Sequence, residues 1–496
     1  MDEIKELIKI VTEYTRKNIP LIDLKKAYPN GNKEFNLFLG IRNGEFNSEL
    51  EASSGIYGNP EIDFKFRMLK SRLNRKLLNH LFFVDFTVPG MPRSAALHQE
   101  CLDYLHFSRM LIKIGEKKLA VKLIYKTVDM AKTGEFTDIV IAGLKELRGV
   151  YAETYRPKLF QNIREQIDSH QRLLAAEEDA YAVYYENKLV LNSSVNNRRK
   201  DFQCVLDGIR ELETKSQQWK SYNIYGKYLK LKLLYHRLTG EYEEQLAFSR
   251  QIEEDFRRGR INQNRLDPFI YNEARICALF RLKRYNEAQS LVQTLLQDLE
   301  SPVRKWYRLM QMAILIAIYE RKYDVATSYM IEVLDQRNFG DSIEPEQLLR
   351  WNIIRAYLYH FTQNKLLLGD FNYEQFLGEI PAYTKDRAGL NTALLILQFM
   401  EKIGSEIGDL HRLMQALEDY LSKYLNNSFS KRAKTFGKLL QKVVAYNREY
   451  ETVLNKSRYL EERMSETPFE GEQYVDFEVV PFEHLWDSIK TRLSRR

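Results

Sequence analysis

Three segments in the middle of this chain carry one pattern: Tyr242-Glu243-Glu244-Gln245, Tyr285-Asn286-Glu287-Ala288 and Tyr323-Asp324-Val325-Ala326, with the tyrosines 43 and 38 residues apart. Large apolar residues follow at intervals of three and four: Phe248, Ile252 and Phe256 in the first, Leu291, Leu295 and Leu299 in the second, Tyr329 and Val333 in the third. That spacing places them on one stripe of a helix. Upstream of each tyrosine the pattern predicts another apolar helix, over 228–238, 269–282 and 306–319, ending in a short turn such as Thr239-Gly240 or Lys283-Arg284. Turns that short join antiparallel neighbours. A helix pair that cannot bury its own apolar face must stack on the next, so the period predicts an extended scaffold rather than a compact catalytic core. Ala288 and Ala326 fall where the second helix crosses the first, and a small side chain there permits close approach.

Composition agrees with helices throughout. The 496 residues are 44% hydrophobic, and only 12 prolines and 22 glycines interrupt them, fewer turns than a sheet protein of this length needs. Tyrosine (31) and phenylalanine (26) are abundant, as expected where stacked pairs fill wide interfaces with rings.

The repeat resembles tetratricopeptide-like repeats, whose second helix starts with a tyrosine after a short turn and carries an alanine three residues later. Tyr285/Ala288 and Tyr323/Ala326 match this, over roughly residues 228–336, and Ala120 and Leu123 hold equivalent places in a fainter echo at 115–131. Gln245 stands where the alanine belongs, the period exceeds the family's roughly 34 residues, and the first-helix tryptophan, leucine and glycine pattern is missing. The resemblance implies an all-α fold, an α-solenoid of stacked antiparallel helix pairs, and an interaction role in which a groove holds a protein or peptide. It implies no particular partner.

Three regions are predicted. Residues 1–92 form a small helical domain closing at Val88-Pro89-Gly90-Met91-Pro92, residues 93–465 the solenoid, and 466–496 an extended segment with a short terminal helix. Within the solenoid Arg156-Pro157 opens a long helix running through Tyr185, and near the end residues 474–480 alternate polar and apolar like a short strand or extended tail. No window approaches the apolar length of a membrane span, and the amino terminus is charged and amphipathic, so neither a span nor a cleavable leader is expected. Cys101, Cys204 and Cys277 are odd in number and far apart, which argues against a disulfide framework and for a reducing, cytoplasmic setting.

The amino-terminal region carries the most suggestive cluster. Lys65, Arg67, Lys70, Arg72, Arg75 and Lys76 fall within one predicted helix that has no acidic residue, while Phe66, Leu69, Leu73 and Leu77 form its apolar stripe. A Ser48-capped short helix ending at Gly58 precedes it, so the order is helix, turn, basic helix. This looks like a helix-turn-helix element, whose second helix enters the major groove. The competing account is a solvated face or a contact to acidic residues of the same chain. A net charge of +7, from 75 basic against 68 acidic residues, is mild for a dedicated nucleic-acid binder.

Phosphate-cradling glycine loops, H-E-x-x-H and C-x-x-C are absent, so no enzyme class is indicated and no cofactor is called for. His98, Cys101 and His106 do not converge as a structural zinc site requires. Lys385, Arg387 and Asn391 precede an apolar helix and are candidates to clamp a partner's carboxylate, against the simpler reading of a helix start with a local Asp386–Arg387 pair. Two functions stay in view: a non-catalytic scaffold or adaptor for a protein or peptide, and a regulator coupling a nucleic-acid-binding amino-terminal domain to a repeat sensor. An enzyme with scattered catalytic residues is the third and least favoured.

Overall fold

The computed structural model describes residues 33–299 (apart from 44, 47, 59–60, 81–91 and 192–194), 304–336, 339, 345–378 (apart from 370), 390–424 (apart from 405–406), 431–467 and 478–495. Side chains at 42, 75, 77–80, 195–202, 345–346, 390–391 and 420–424 lie outside the description. The described residues hold twenty-one α-helices and no strand. Three form an amino-terminal group: α1 (Lys33–Arg42), α2 (Glu49–Tyr57) and α3 (Phe64–His80). Their core is Leu37, Ala52, Phe66, Leu69 and Leu73.

The remaining eighteen stack in chain order as an all-α solenoid. They are α4 (Arg93–Lys113), α5 (Lys117–Thr133), α6 (Thr137–Glu153), α7 (Pro157–Leu191), α8 (Val195–Gln218), α9 (Tyr222–Thr239), α10 (Tyr242–Arg257), α11 (Phe269–Arg281) and α12 (Tyr285–Gln297), followed by α13 (Arg304–Tyr319), α14 (Tyr323–Leu334), α15 (Pro345–Thr362), α16 (Tyr373–Gly378), α17 (Leu390–Lys402), α18 (Ile407–Tyr424), α19 (Lys431–Ala445), α20 (Tyr450–Glu466) and α21 (Phe482–Ser494). Nearly every helix touches its successor, and α9, α11 and α13 also touch in a row, as first helices of successive pairs do. Among the described residues no helix is long and apolar enough to cross a membrane.

One turn recurs. A residue with positive φ, at Gly115, Glu135, Tyr155, Gly240, Lys283, Arg321 and Asn447, ends a helix, and the next residue's N–H reaches back five positions, as from Glu116 to Leu111, Arg284 to Leu279 and Lys322 to Ala317. This is the Schellman closure, which satisfies carbonyls otherwise orphaned at a helix end. The following helix starts two residues after the left-handed one in six of these turns, so the chain reverses within a few residues.

The repeat tyrosines have a shared packing role. Tyr285 lies at 6.0 Å from Phe280 and 6.2 Å from Tyr319, while Tyr323 stacks on Phe361 at 4.6 Å with rings nearly parallel. Each thus joins the start of a second helix to the end of the first helix of the next pair. Ala288 and Ala326 are fully buried at the crossings. Gln245, in the alanine place, is also buried, and its amide donates to the Ala274 carbonyl of α11 at 2.7 Å, so one pair is tied to the next by a hydrogen bond.

The long helix is longer than the sequence pattern indicated. α7 has 35 residues, about 50 Å at the usual rise. Ile163 and Ile167 sit in a core with α4–α6, whereas Ala176, Ala180, Tyr184 and Leu191 sit in a second core with α8 and α9. A third, larger core runs from Tyr242 to Leu493 and includes Phe482, Trp486 and Ile489 of α21. Of the short strand or extended tail expected over 474–480, the described part forms no strand: the chain bends at 479 and 480, with Glu478, Val479 and Val480 all buried. Alternation there does not mark one wet and one dry face, because both valines enter the core and the glutamate is held by an ion pair. Residues 474–477, the proline turn at 89–91 and the turn at 29–32 lie outside the described residues.

Candidate functional site

The basic helix docks as its apolar stripe requires. Asp63 accepts from the Phe66 N–H at 2.8 Å, Ser48 caps α2 by accepting from the Glu51 N–H at 3.2 Å, and Gly58 closes it with φ 70°. Lys65, Arg67, Lys70 and Arg72 are exposed. Lys70 pairs with Glu49 of α2, Lys76 pairs with Glu34 of α1, and Arg72 Nε lies 3.6 Å from Glu34. No ion pair of Lys65 or Arg67 occurs among the described residues. The Arg75 side chain lies outside the description, as do Lys385 and Arg387; Asn391 is in the first turn of α17, its side chain likewise undescribed. His98 packs edge-on against Phe136 at 4.8 Å, and Cys101 is fully buried, its thiol pushed up to about 11 by burial and by Glu100.

Sequence reasoning missed a cluster between α7 and α9. Its frame is polar and buried. Glu177, 2% exposed, accepts from Thr137 Oγ1 at 2.9 Å and from Ser221 Oγ at 2.5 Å, and burial raises its pKa in spite of those bonds. Arg265 donates to the carbonyls of Gly134 (2.6 Å) and Glu135 (3.0 Å) and to Asn223 Oδ1 (2.7 Å), with its guanidinium between the rings of Phe136 and Tyr222. Asn262 adds bonds to the Thr133 carbonyl (2.9 Å) and Glu135 Oε1 (2.7 Å). The loop after α10 is therefore strapped onto the turn between α5 and α6 and, through Asn223, onto the first turn of α9, while Glu177 joins α7 to Ser221 at the start of α9.

Beyond this frame the facing stripes are Tyr181, Tyr184 and Lys188 on α7 and Asn223, Lys227 and Lys230 on α9, each at intervals of three and four. The Lys227 ammonium lies 4.1, 4.8 and 4.9 Å from the ring centres of Tyr181, Tyr184 and Tyr185. Lys188 lies 5.8 Å from the Tyr184 ring. Burial, then Lys230, Lys188 and Arg265, lower the Lys227 ammonium to about 8. Lys230 is exposed as a residue, yet the packed surroundings of its ammonium, followed by Lys188 and Arg265, lower it too. Among the described residues none of the three lysines forms an ion pair. The only signal in the sequence was an i, i+3 lysine pair on one helix and a Tyr-rich stretch on another, with nothing to join them.

The second notable surface is already occupied by the chain itself. Phe482 of α21 stacks on Phe436 of α19 at 4.7 Å, His484 Nδ1 lies 3.1 Å from the Tyr323 hydroxyl, and Asp487 pairs with Arg321 at 2.6 Å. Trp486 donates to Glu461 of α20 at 3.1 Å, while Arg492 donates to the Met400 carbonyl of α17 at 2.6 Å and meets His360 of α15 at 3.3 Å. Burial lowers His484 to about 4, so its imidazole is neutral at pH 7. Just before the helix, buried Arg432 bridges Glu478 (2.9 Å) and Glu483 (2.8 Å) and donates to the carbonyls of Met464 and Thr467. Burial works against its charge, and the two carboxylates more than offset that, raising its pKa. Glu478 also accepts from the Phe482 N–H at 2.8 Å, capping α21, and its carbonyl accepts from Tyr319 at 2.7 Å. No protein-family model matches the chain, and no curated protein and no solved structure matches it.

Proposed function

We propose that this protein is a non-catalytic interaction scaffold whose helical repeat holds a protein or peptide partner. The observation that carries the reading is α21, an amphipathic helix of the same chain laid against α14, α15, α17, α19 and α20 by apolar, charged and aromatic contacts. A surface that takes one helix in this way has the recognition chemistry of helix-in-groove binding. Tyr285/Ala288 and Tyr323/Ala326 support a tetratricopeptide-like identity for the repeat, with tyrosine linking successive pairs and alanine permitting the crossing.

Affinity purification of the full-length chain from nuclease-treated native lysate, followed by reconstitution from two purified components, tests the reading. A stoichiometric complex is the expected result. A chain that recovers no partner, or that turns over a substrate with loss on a single substitution, overturns it. The second reading, nucleic-acid binding by α3, rests on Lys65 and Arg67, which stay exposed and unpaired among the described residues while Lys70, Arg72 and Lys76 answer Glu49 and Glu34. Partner capture that disappears on nuclease treatment would favour it.

A further inference from the structure

We propose that the surface between α7 and α9 around Lys188, Lys227 and Lys230 is a binding site for an acidic peptide segment, a proposal that gives the scaffold reading its ligand chemistry. The charge pattern motivates it. Several solenoid lysines meet carboxylates, such as Lys117 with Glu153, Lys215 with Glu211 and Asp179, Lys232 with Glu213, Lys305 with Asp267 and Lys490 with Glu461, and what sets this surface apart is that its cations lie close to one another. Here three ammonium groups and Arg265 gather with no ion pair for any of the lysines among the described residues. Like charges brought together raise the free energy of the folded state, and an anionic ligand relieves the repulsion it meets. Burial first, and then the neighbouring cations, hold the Lys227 and Lys230 pKa values below the ordinary lysine value.

The buried charges nearby do not neutralise the cluster. Glu177 accepts from Thr137 and Ser221 within the frame and forms no ion pair with the three lysines among the described residues. The frame also fixes the lysines in advance. They project from α7 and α9, which the Glu177–Ser221 bond joins at the start of α9, and a preformed site loses less freedom when it binds.

The rings decide which anion fits. Base stacking on single-stranded nucleic acid needs open aromatic faces. Lys227 stands over Tyr181, Tyr184 and Tyr185 together, and Tyr181 and Tyr185 already stack on each other at 6.2 Å. Tyr184 is buried and Tyr181 half-buried, and Tyr185 alone of the three is exposed, so the rings position an ammonium group rather than present a run of platforms for successive bases. A run of carboxylates along an extended or helical peptide can meet Lys188, Lys227 and exposed Lys230 in turn.

The test titrates the full-length chain with a fluorescent oligo-glutamate peptide, reading anisotropy at rising salt. Binding that weakens with salt is expected, with no binding of an oligo-glutamine peptide. The Lys227→Gln/Lys230→Gln variant should lose affinity by about tenfold or more with an unchanged or raised melting midpoint, because repulsion is removed with the charge. Lys230→Gln alone, at an exposed position, gives the same reading should the double variant fold poorly. The peptide should also shield Lys227 from an amine-reactive acetylating reagent, read by mass spectrometry. The site is overturned by absence of oligo-glutamate binding, by binding that ignores these substitutions, or by a single-stranded oligonucleotide that binds more tightly and is lost in the same variants. The two proposals fail separately. A reconstituted partner complex indifferent to the lysines sinks this site and leaves the scaffold, whereas lysine-dependent peptide binding with no recoverable partner does the reverse.

Discussion

Glu135, Tyr155, Lys283, Arg321 and Asn447 occupy the left-handed position that Gly115 and Gly240 fill in equivalent turns. A side chain in that region costs about 1 kcal/mol or more relative to glycine. Tyr155 is the cleanest probe, because its side chain is 88% exposed. Tyr155→Gly should raise stability by about 0.5–1 kcal/mol in urea denaturation, a gain reduced by the added freedom of the unfolded chain. A loss would mean that the ring makes a contact worth more than the strain. Lys227 makes a second prediction at this scale. Between about pH 8 and 10 the unfolded chain keeps on this lysine a proton that the folded chain has released, so stability rises with pH across that window. Lys188, Lys230, Arg265 and Glu177 share the surroundings, and Tyr181 and Tyr184, raised by burial, act in the opposite sense only near and above pH 10. The difference between wild type and Lys227→Gln isolates the effect: the variant should lose part of the rise. An identical pH profile would mean that the lysine titrates normally.

Between elements, the helix crossings set the tolerance of the fold. Ala288 is fully buried where α12 meets its neighbours, so Ala288→Leu should overpack it and cost about 1–3 kcal/mol. An unchanged melting midpoint would show that the crossing has slack. The amino-terminal helices make a different prediction. With Lys70, Lys76 and Arg72 answered by Glu49 and Glu34, α3 offers fewer free cations than its sequence shows. A helix that bound DNA through all six basic residues would show a log-log salt slope steeper than about −5, at roughly 0.9 per phosphate. Duplex DNA should instead bind the full-length chain weakly, with a slope well short of that for six contacts, and Lys65→Glu/Arg67→Glu should weaken it further. A steep slope would mean that the Glu34 and Glu49 pairs open to release the cations.

At the scale of the whole molecule, Arg432 is the joint that closes the carboxyl-terminal end. It ties α19 to the end of α20, to Glu478 and to the first turn of α21. Arg432→Leu leaves Glu478, nearly inaccessible, without its partner, and breaking a buried pair from one side costs about 3–5 kcal/mol. Because α21 shares one continuous core with α10–α20, its amides should lose exchange protection together with those of α19 and α20. If α21 alone exchanges faster, it is a separable segment resting on the solenoid rather than a part of it.

By itself the sequence determined the helical class and the repeat, because those follow from short-range periodicity: tyrosine at a helix start, alanine three residues on, apolar residues every three or four. It also indicated the docked face of α3, whose Phe66, Leu69 and Leu73 form the amino-terminal core. Only the tertiary structure decided which charges meet. Glu34 and Glu49 reach α3 across turns, Arg432 finds Glu478 and Glu483, α21 returns to Arg321 and Tyr323, and Lys227 arrives among three tyrosines of another helix. The physical reason is one of range. Periodicity specifies which side of a helix is buried, but the side-chain partners across an interface depend on helix lengths, turn geometry and the way α7 bridges two cores, none of which a local pattern encodes.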